Sequence, residues 1–222
     1  MDFSLTEDQK MLRTMVRELA AKELEPIAAQ VDEEATFPAQ SFNKMAELGM
    51  LGLGIAKEYG GSGGGAIDMA IATEELSRIC AGMGTSYVVT LADCCYAIYS
   101  FGNEEQRQRF VVPLATGNKI GAFALTESNA GSDAAALETT ATKVNGGYII
   151  SGTKIFITNA VEAEIAVVFA TIDKSLKYRG ITGFIVERGM PGFSVGKKEN
   201  KLGQGASSTA DLIFEDCFVP EA

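Results

Sequence analysis

The sequence predicts an α+β multidomain protein in which a helical bundle is followed by a β domain, with the change near residue 118. Three observations carry this. Before Gly117 apolar residues recur at spacings of three and four, and after it they recur at two, the period of a strand. Thr6-Glu-Asp-Gln9 and Asn103-Glu-Glu-Gln106 have the spacing of capping boxes, which open helices by pairing their first free backbone N–H groups. Asn145-Gly146-Gly147 is a strong hairpin signal, because tight two-residue turns need residues that tolerate positive φ. A chain of 222 residues is long enough for one large domain or two ordinary ones.

Taken in order, the first helix opens after Thr6 and sets Leu12, Met15, Val16 and Leu19 on one face. It continues past Leu24 and breaks near Pro26, which lacks the N–H a helix needs. A second helix starts at Pro38, with Phe42, Met45 and Leu48 sharing a face and Gly49 ending it. Met50 to Ile55 is short and broken by glycine, hence a loop or linker. Gly60 to Gly65 reads as a flexible turn, a hinge and not a ligand site, since it lacks the lysine of a phosphate cradle.

Helical patterns then run from about Ile67 to Cys80, from Gly84 to Phe101, and from Asn103 to just before Gly117. Val88, Val89, Leu91, Ala92, Tyr96, Ala97 and Ile98 clothe most of one helix's circumference, as in a helix buried among neighbours. Strands are expected near 120–125, 147–151, 154–158, 165–172, 181–187 and 209–214, with a turn at Pro191-Gly192 before Phe193-Ser-Val195.

A net charge of −10 argues against nucleic acid or an anionic membrane as partner. Lys197-Lys198 is the only adjacent basic pair, and a solvated edge accounts for it. Histidine is absent, which excludes Ser-His and Cys-His nucleophilic catalysis and His-ligated zinc within these residues. Cys80, Cys94, Cys95 and Cys217 lack metal-ligand spacing, so buried free thiols and no metal site are expected. Met1-Asp-Phe-Ser-Leu-Thr-Glu-Asp has neither the basic nor the apolar part of a signal peptide, and no apolar run has the length of a membrane span. A cytoplasmic protein is the expectation.

Two segments carry chemistry. Ala124-Leu-Thr-Glu-Ser-Asn-Ala-Gly-Ser-Asp133 leaves an apolar strand for a loop rich in hydroxyls, and Gly152-Thr-Lys-Ile-Phe-Ile-Thr-Asn159 packs hydroxyls and one aromatic into a short strand. Backbone N–H groups, Thr126, Ser128, Ser132 and Thr158 are suited to donate to a polar planar ring or a phosphate, with Phe156 covering an apolar face. A plain β-turn is satisfied equally by Asn129, Gly131, Ser132 and Asp133.

With these segments behind a helical half, the chain resembles the flavin-dependent acyl-CoA dehydrogenases over essentially all its length. The resemblance rests on Ala122 to Asp133, Ser151 to Asn159, Pro191 to Gly203 and Ile213 to Pro220, in that order. The opening Met1 to Gln9 also looks like bacterial short-chain members. It implies an N-terminal helical domain (1–118), an antiparallel β-barrel or sandwich middle domain (119–222), and a C-terminal helical domain absent from these residues. FAD would lie between the middle and C-terminal domains of a homotetramer.

By the same resemblance, Phe123 to Ser132 would line the flavin, with Leu125 and Thr126 at its pyrimidine end and Gly131 and Ser132 nearer its phosphates. Ser132 would also touch the acyl-CoA. Phe156, where many relatives have Trp, would face the ring, Ile157 would lie beside it, and Thr158 would reach N5. Ile155 and Ile157 flank Phe156 and would point to the opposite side of the strand.

The implied activity is α,β-dehydrogenation of a short-chain acyl-CoA to the trans-2-enoyl-CoA, with electrons passing to an electron-transfer flavoprotein. The family's catalytic base is a Glu of the C-terminal domain, so no catalytic residue is expected here and this chain alone is expected to be inactive. The ending Val219-Pro-Glu-Ala222 points to a longer protein. Glu127 reads as a structural carboxylate, and Gly205 stands where many relatives carry Arg. The alternatives are an acyl-CoA or nitroalkane oxidase of the same fold, or a non-catalytic or split-enzyme fragment.

Overall fold

In the computed structural model of the chain, residues 4–221 are described; Met1 to Phe3, part of the segment read above for a leader and for short-chain likeness, lie outside them. Helix α1 (Glu7–Leu19) opens on the expected capping box, with Thr6 Oγ1 accepting from Gln9 N and Thr6 N donating to the Gln9 side chain. It runs into a π-helical turn (Ala20–Leu24), breaks at Pro26, and resumes as α2 (Ala28–Glu33). Helix α3 (Ala39–Glu47) buries Phe42 and Met45, but Leu48 is exposed: it caps the helix, and Gly49 at φ 69° turns the chain away.

The stretch from Met50 to Ile55 is irregular as expected, yet it lies in the core, with Met50, Leu51 and Ile55 fully buried. The glycine run after it is pinned rather than free. Gly54 N donates to Gly63 O, Gly61 N to Ala56 O, and Gly63 N to Ile55 O, and a Cβ on Gly61 would lie 2.0 Å from the Ile55 carbonyl oxygen. Glycine here allows close approach of two backbone segments.

Helices α4 (Ala66–Ile79) and α5 (Ala81–Val88) follow, and α5 continues through a π-helical segment (Val89–Cys95) into α6 (Tyr96–Phe101). Leu91 and Ile98 are buried, whereas Tyr96 is exposed, so one side of this helix faces outward. The Asn103 capping box opens α7 (Glu104–Gln106), which continues through Arg107–Val111 to α8 (Val112–Ala115). All four cysteines are buried and free, and burial pushes the Cys94 thiol up to about 12.

The second half forms one curled sheet with strand order β1-β4-β2-β3-β7-β6, and β5 on β4. The strands are β1 (Gly121–Ala124), β2 (Thr140–Val144), β3 (Gly147–Thr158), β4 (Ile165–Thr171), β5 (Ile181–Glu187), β6 (Phe193–Lys198) and β7 (Thr209–Pro220). Most pairs are antiparallel, but β1 pairs with β4 in parallel. Asn145-Gly146 turns β2 into β3. The helical core is closed from the sheet side by Ile165, Val167 and Ala206. A second core lies within the sheet around Ile150, Ile157, Val168, Phe184 and Leu212. No helix among the described residues is long and apolar enough to cross a membrane.

Candidate functional site

The two motifs meet where β3 is interrupted. Opposite β7, Lys154 pairs with Leu212 and Ile157 with Ala210, so Ile155 and Phe156 together oppose Asp211 alone. This is a β-bulge, in which one extra residue is left unpaired and the strand is re-aimed. Phe156 sits at φ 58°, a left-handed conformation that costs a bulky residue of order 1–3 kcal/mol and is held only when the surroundings impose it. Its side chain is 62% exposed. Ile155 N, freed from β7, donates to Thr126 O at 2.9 Å, which lays the first motif against the second.

Lys154, the residue before the bulge, is fully buried at 0% exposure. Its ammonium donates to Glu127 Oε1 at 2.6 Å and to Leu125 O at 3.1 Å. Glu127 in turn accepts the backbone N–H groups of Glu138 and Thr139. Burial alone would push the Glu127 carboxyl up; its hydrogen bonds from Lys154, Thr139 and Glu138 outweigh that and hold it below the usual carboxylate range. Burial likewise pulls Lys154 down, opposed by Glu127. Buried charges are tolerated when they are paired and hydrogen-bonded in this way.

Glu127 and Ala130 bond to each other's backbone, so Ser128-Asn129 is the tip of a tight turn. Of the four residues read as a β-turn, Asn129 lies in this turn, while Gly131, Ser132 and Asp133 follow it. Gly131 and Ser132 lie beyond it, exposed, and a Cβ on Gly131 would meet nothing within 4 Å. The Thr126 and Thr158 side chains are half-buried, and neither hydroxyl has a hydrogen-bond partner among the described residues.

At the far end of the bulge Asn159 is fully buried, also with positive φ. Its Nδ2 lies 3.0 Å from Ser86 O, 3.1 Å from Thr90 Oγ1 and 3.0 Å from Gly121 O, tying β3 to the π-helical segment after α5.

The bond from Ile155 N to Thr126 O lays Leu125 and Thr126 beside Phe156, Thr158 follows two residues along β3, and these four, none of them fully buried, make up the candidate wall, with Gly131 and Ser132 on the loop beyond it. Two members of the expected set face elsewhere. Ile157 is 2% exposed and points into the sheet core, because the bulge turns it inward as it turns Phe156 out; only its backbone is on the wall. Phe123 packs on Phe169 with ring centroids 5.0 Å apart, against the helical core. Glu127 is the structural carboxylate expected. Lys154 and Asn159 were not singled out from the sequence; a lysine inside a strand ordinarily marks a solvated face, and only its spacing from the aromatic hints otherwise.

Beside Thr158 lies a polar recess of about 360 Å3, lined by Thr85, Lys201, Gln204, Ser207 and Thr209. Lys201 Nζ donates to Ser207 O and Thr209 Oγ1, and burial lowers its pKa. A separate apolar cleft of about 380 Å3, walled by Phe110, Tyr148, Phe169 and Phe184, contains no residue of the 124–133 and 152–159 segments. Gly205 N donates to Asp32 Oδ1 at 2.6 Å, and a Cβ there would lie 2.0 Å from Asp32 O, so this backbone has no room for the arginine of many relatives. Lys198, expected at a solvated edge, donates instead to Ala35 O. Both contacts seat the sheet on the end of α2. Among the described residues no cluster of three His, Cys, Asp or Glu side chains is placed to hold a metal.

Comparison with known proteins agrees with this architecture. Residues 6–118 match the family model of the acyl-CoA dehydrogenase N-terminal domain, and residues 122–217 that of the middle domain. The chain is 48% identical over 220 residues to the short-chain specific acyl-CoA dehydrogenase of Clostridium acetobutylicum, covering 99% of this chain and 58% of that protein. Butyryl-CoA dehydrogenase of Megasphaera elsdenii superposes with a TM-score of 0.95 at 41% identity, over 99% of this chain and 58% of that one. A chain in a structure of the electron transferring flavoprotein of Acidaminococcus fermentans does so with a TM-score of 0.96 at 47% identity, over the same shares. The 222 residues thus span a little under three fifths of these relatives and contain their helical and curled-sheet parts. The chain belongs to the acyl-CoA dehydrogenase family.

Proposed function

We propose that this chain forms the flavin-facing part of an FAD-dependent acyl-CoA dehydrogenase acting on a short-chain acyl-CoA. Residues 1–118 would be the helical domain and 119–222 the middle domain of a cytoplasmic homotetramer that delivers electrons to an electron-transfer flavoprotein. The observation that carries the reading is the bulge: it holds an exposed aromatic in a strained conformation and is bonded through Ile155 N to the Thr126 segment, whose loop continues to an open glycine. These residues fit a flat, polar-edged ring with a phosphate tail.

When bound, FAD supplies a two-electron acceptor. The protein groups bind and tune it. The Leu125 and Thr126 segment offers donors to the pyrimidine end, where negative charge would collect on reduction, and preorganised donors there favour the reduced ring. Thr158 would offer a short hydroxyl to the ring's redox-active edge, orienting the ring without obstructing it. Phe156 would cover an apolar face of the ring and keep water from it. Gly131 and Ser132 leave room for phosphate, and Ser132 also for acyl-CoA.

Removal of the substrate α-proton needs a carboxylate free to accept it. Glu127 is not that group, because Lys154 and two backbone N–H groups already occupy its oxygens. The base would be supplied by the part of the relatives' length that lies outside these residues. A polypeptide translated from the whole gene is expected to bind FAD and to lose its flavin absorbance anaerobically on addition of butyryl-CoA, with electrons passing to an artificial dye. A colourless protein in the presence of FAD contradicts the reading, and stoichiometric peroxide with no dye reduction favours an oxidase of the same fold.

A further inference from the structure

We propose that Lys154 and Glu127 are positioning residues, whose buried charge pair sets the flavin-facing loop in register with the Phe156 bulge. The inference rests on the reading of that surface as the flavin wall. Its geometry is specific to these two side chains. From β3, residues 154 and 155 grip three consecutive residues of the loop: Lys154 Nζ holds Leu125 O and Glu127 Oε1, and Ile155 N holds Thr126 O. Glu127 meanwhile closes the base of the excursion from Ser128 to Leu137 by accepting from Glu138 N and Thr139 N. One buried pair therefore fixes both where the loop starts and returns, and where it lies against the bulge.

Stability gives no reason for charge at this place. A buried ion pair replaced by apolar side chains of similar volume is often neutral or stabilising, since the desolvation penalty disappears with the charges. What an apolar pair does not supply is direction. A methionine at 154 fills the volume but bonds neither Leu125 O nor residue 127, so the loop is free to slide along the bulge. The neighbouring Asn159 anchor does not replace it, because it ties the other end of the bulge to the helices and touches nothing between 125 and 127.

The test compares the full-length polypeptide with its double variant Lys154→Met/Glu127→Leu and its single variant Glu127→Gln. Three quantities are read: the melting temperature, the hydrogen-exchange protection of the Ile155 amide, and the quenching of added FAD fluorescence. The expected double variant melts within a few degrees of the parent, while Ile155 protection falls at least tenfold and FAD quenching weakens. Glu127→Gln keeps the side chain's size and is expected to lose Ile155 protection severalfold, which decides the matter even where the double variant does not fold. Ile155 protection unchanged in a folded double variant, or in Glu127→Gln, overturns the proposal. If the parent itself does not quench FAD, the flavin reading fails, and the exchange measurement still decides whether the pair sets the loop.

Discussion

The two halves of the molecule each bury a glutamate, and they hold it in opposite ways. Glu75 on α4 is buried, but its partners Arg17 and Arg78 reach it from the surface with side chains about half exposed. Glu127 in the sheet is held by Lys154, which no solvent reaches. Both carboxyls are held below their ordinary range, Glu75 chiefly by its hydrogen bond from Arg17, and Glu127 by a set of bonds that must first overcome its own burial. An arginine that loses its partner returns to water at little cost. A buried lysine that loses its partner has nowhere to go. The first arrangement staples two helices and tolerates change; the second fixes a surface.

The largest test of this contrast is Lys154→Ala, which leaves the Glu127 carboxylate buried without its cation. It is expected to cost about 3–5 kcal/mol in urea unfolding. Glu75→Ala should cost much less, about 1 kcal/mol, because solvent rehydrates both arginines. Equal losses at the two sites would break the comparison.

A pH series sharpens it further. The folded-state pKa of Glu127 lies below its unfolded value, so its contribution is fully present above about 4.3 and is lost as pH falls through the folded value. The parent should therefore lose more stability between pH 6 and pH 3 in urea unfolding than Lys154→Met/Glu127→Leu, which has no such pair to protonate. The smallest effect is that of salt. Raising NaCl to about 1 M should shield the arginine contacts of Glu75 and leave those of Glu127 intact, so the stability difference between parent and Glu75→Ala should shrink by a few tenths of a kcal/mol.

Much of the fold was legible in the sequence because the signals were local. The Thr6 and Asn103 capping boxes, the break at Pro26 and the Asn145-Gly146 turn each depend on a few adjacent residues, and each stands where it was expected. What was not legible depends on distant partners. Strand β2 was missed because Thr140-Ala-Thr-Lys-Val144 is largely polar and owes its place to pairing with β3. The run from Gly60 to Gly65 looked flexible, but Gly61 and Gly63 are hydrogen-bonded to Gly54, Ile55 and Ala56, and Gly61 is packed on Ile55.

At the site, the family resemblance singled out Thr126, Phe156 and Thr158, yet nothing in the sequence showed the bulge at Ile155 and Phe156. Strict alternation would leave Ile155 and Ile157 equivalent. One extra residue opposite Asp211 makes Ile157 a core residue and Ile155 the donor to the loop. Lys154 was hidden for a simpler reason: its buried role exists only because Glu127, 27 residues earlier in the chain, folds back to meet it.

The most direct measurement of the central claim is an absorbance titration of FAD into the full-length polypeptide, made with the parent and with Phe156→Ala and Thr158→Val. One flavin per chain is expected in the parent, with weaker binding and a shifted flavin spectrum in both variants and a melting temperature close to the parent's. A parent that takes up no FAD, or variants that bind it with unchanged affinity and spectrum, would contradict the assignment of this wall to the flavin.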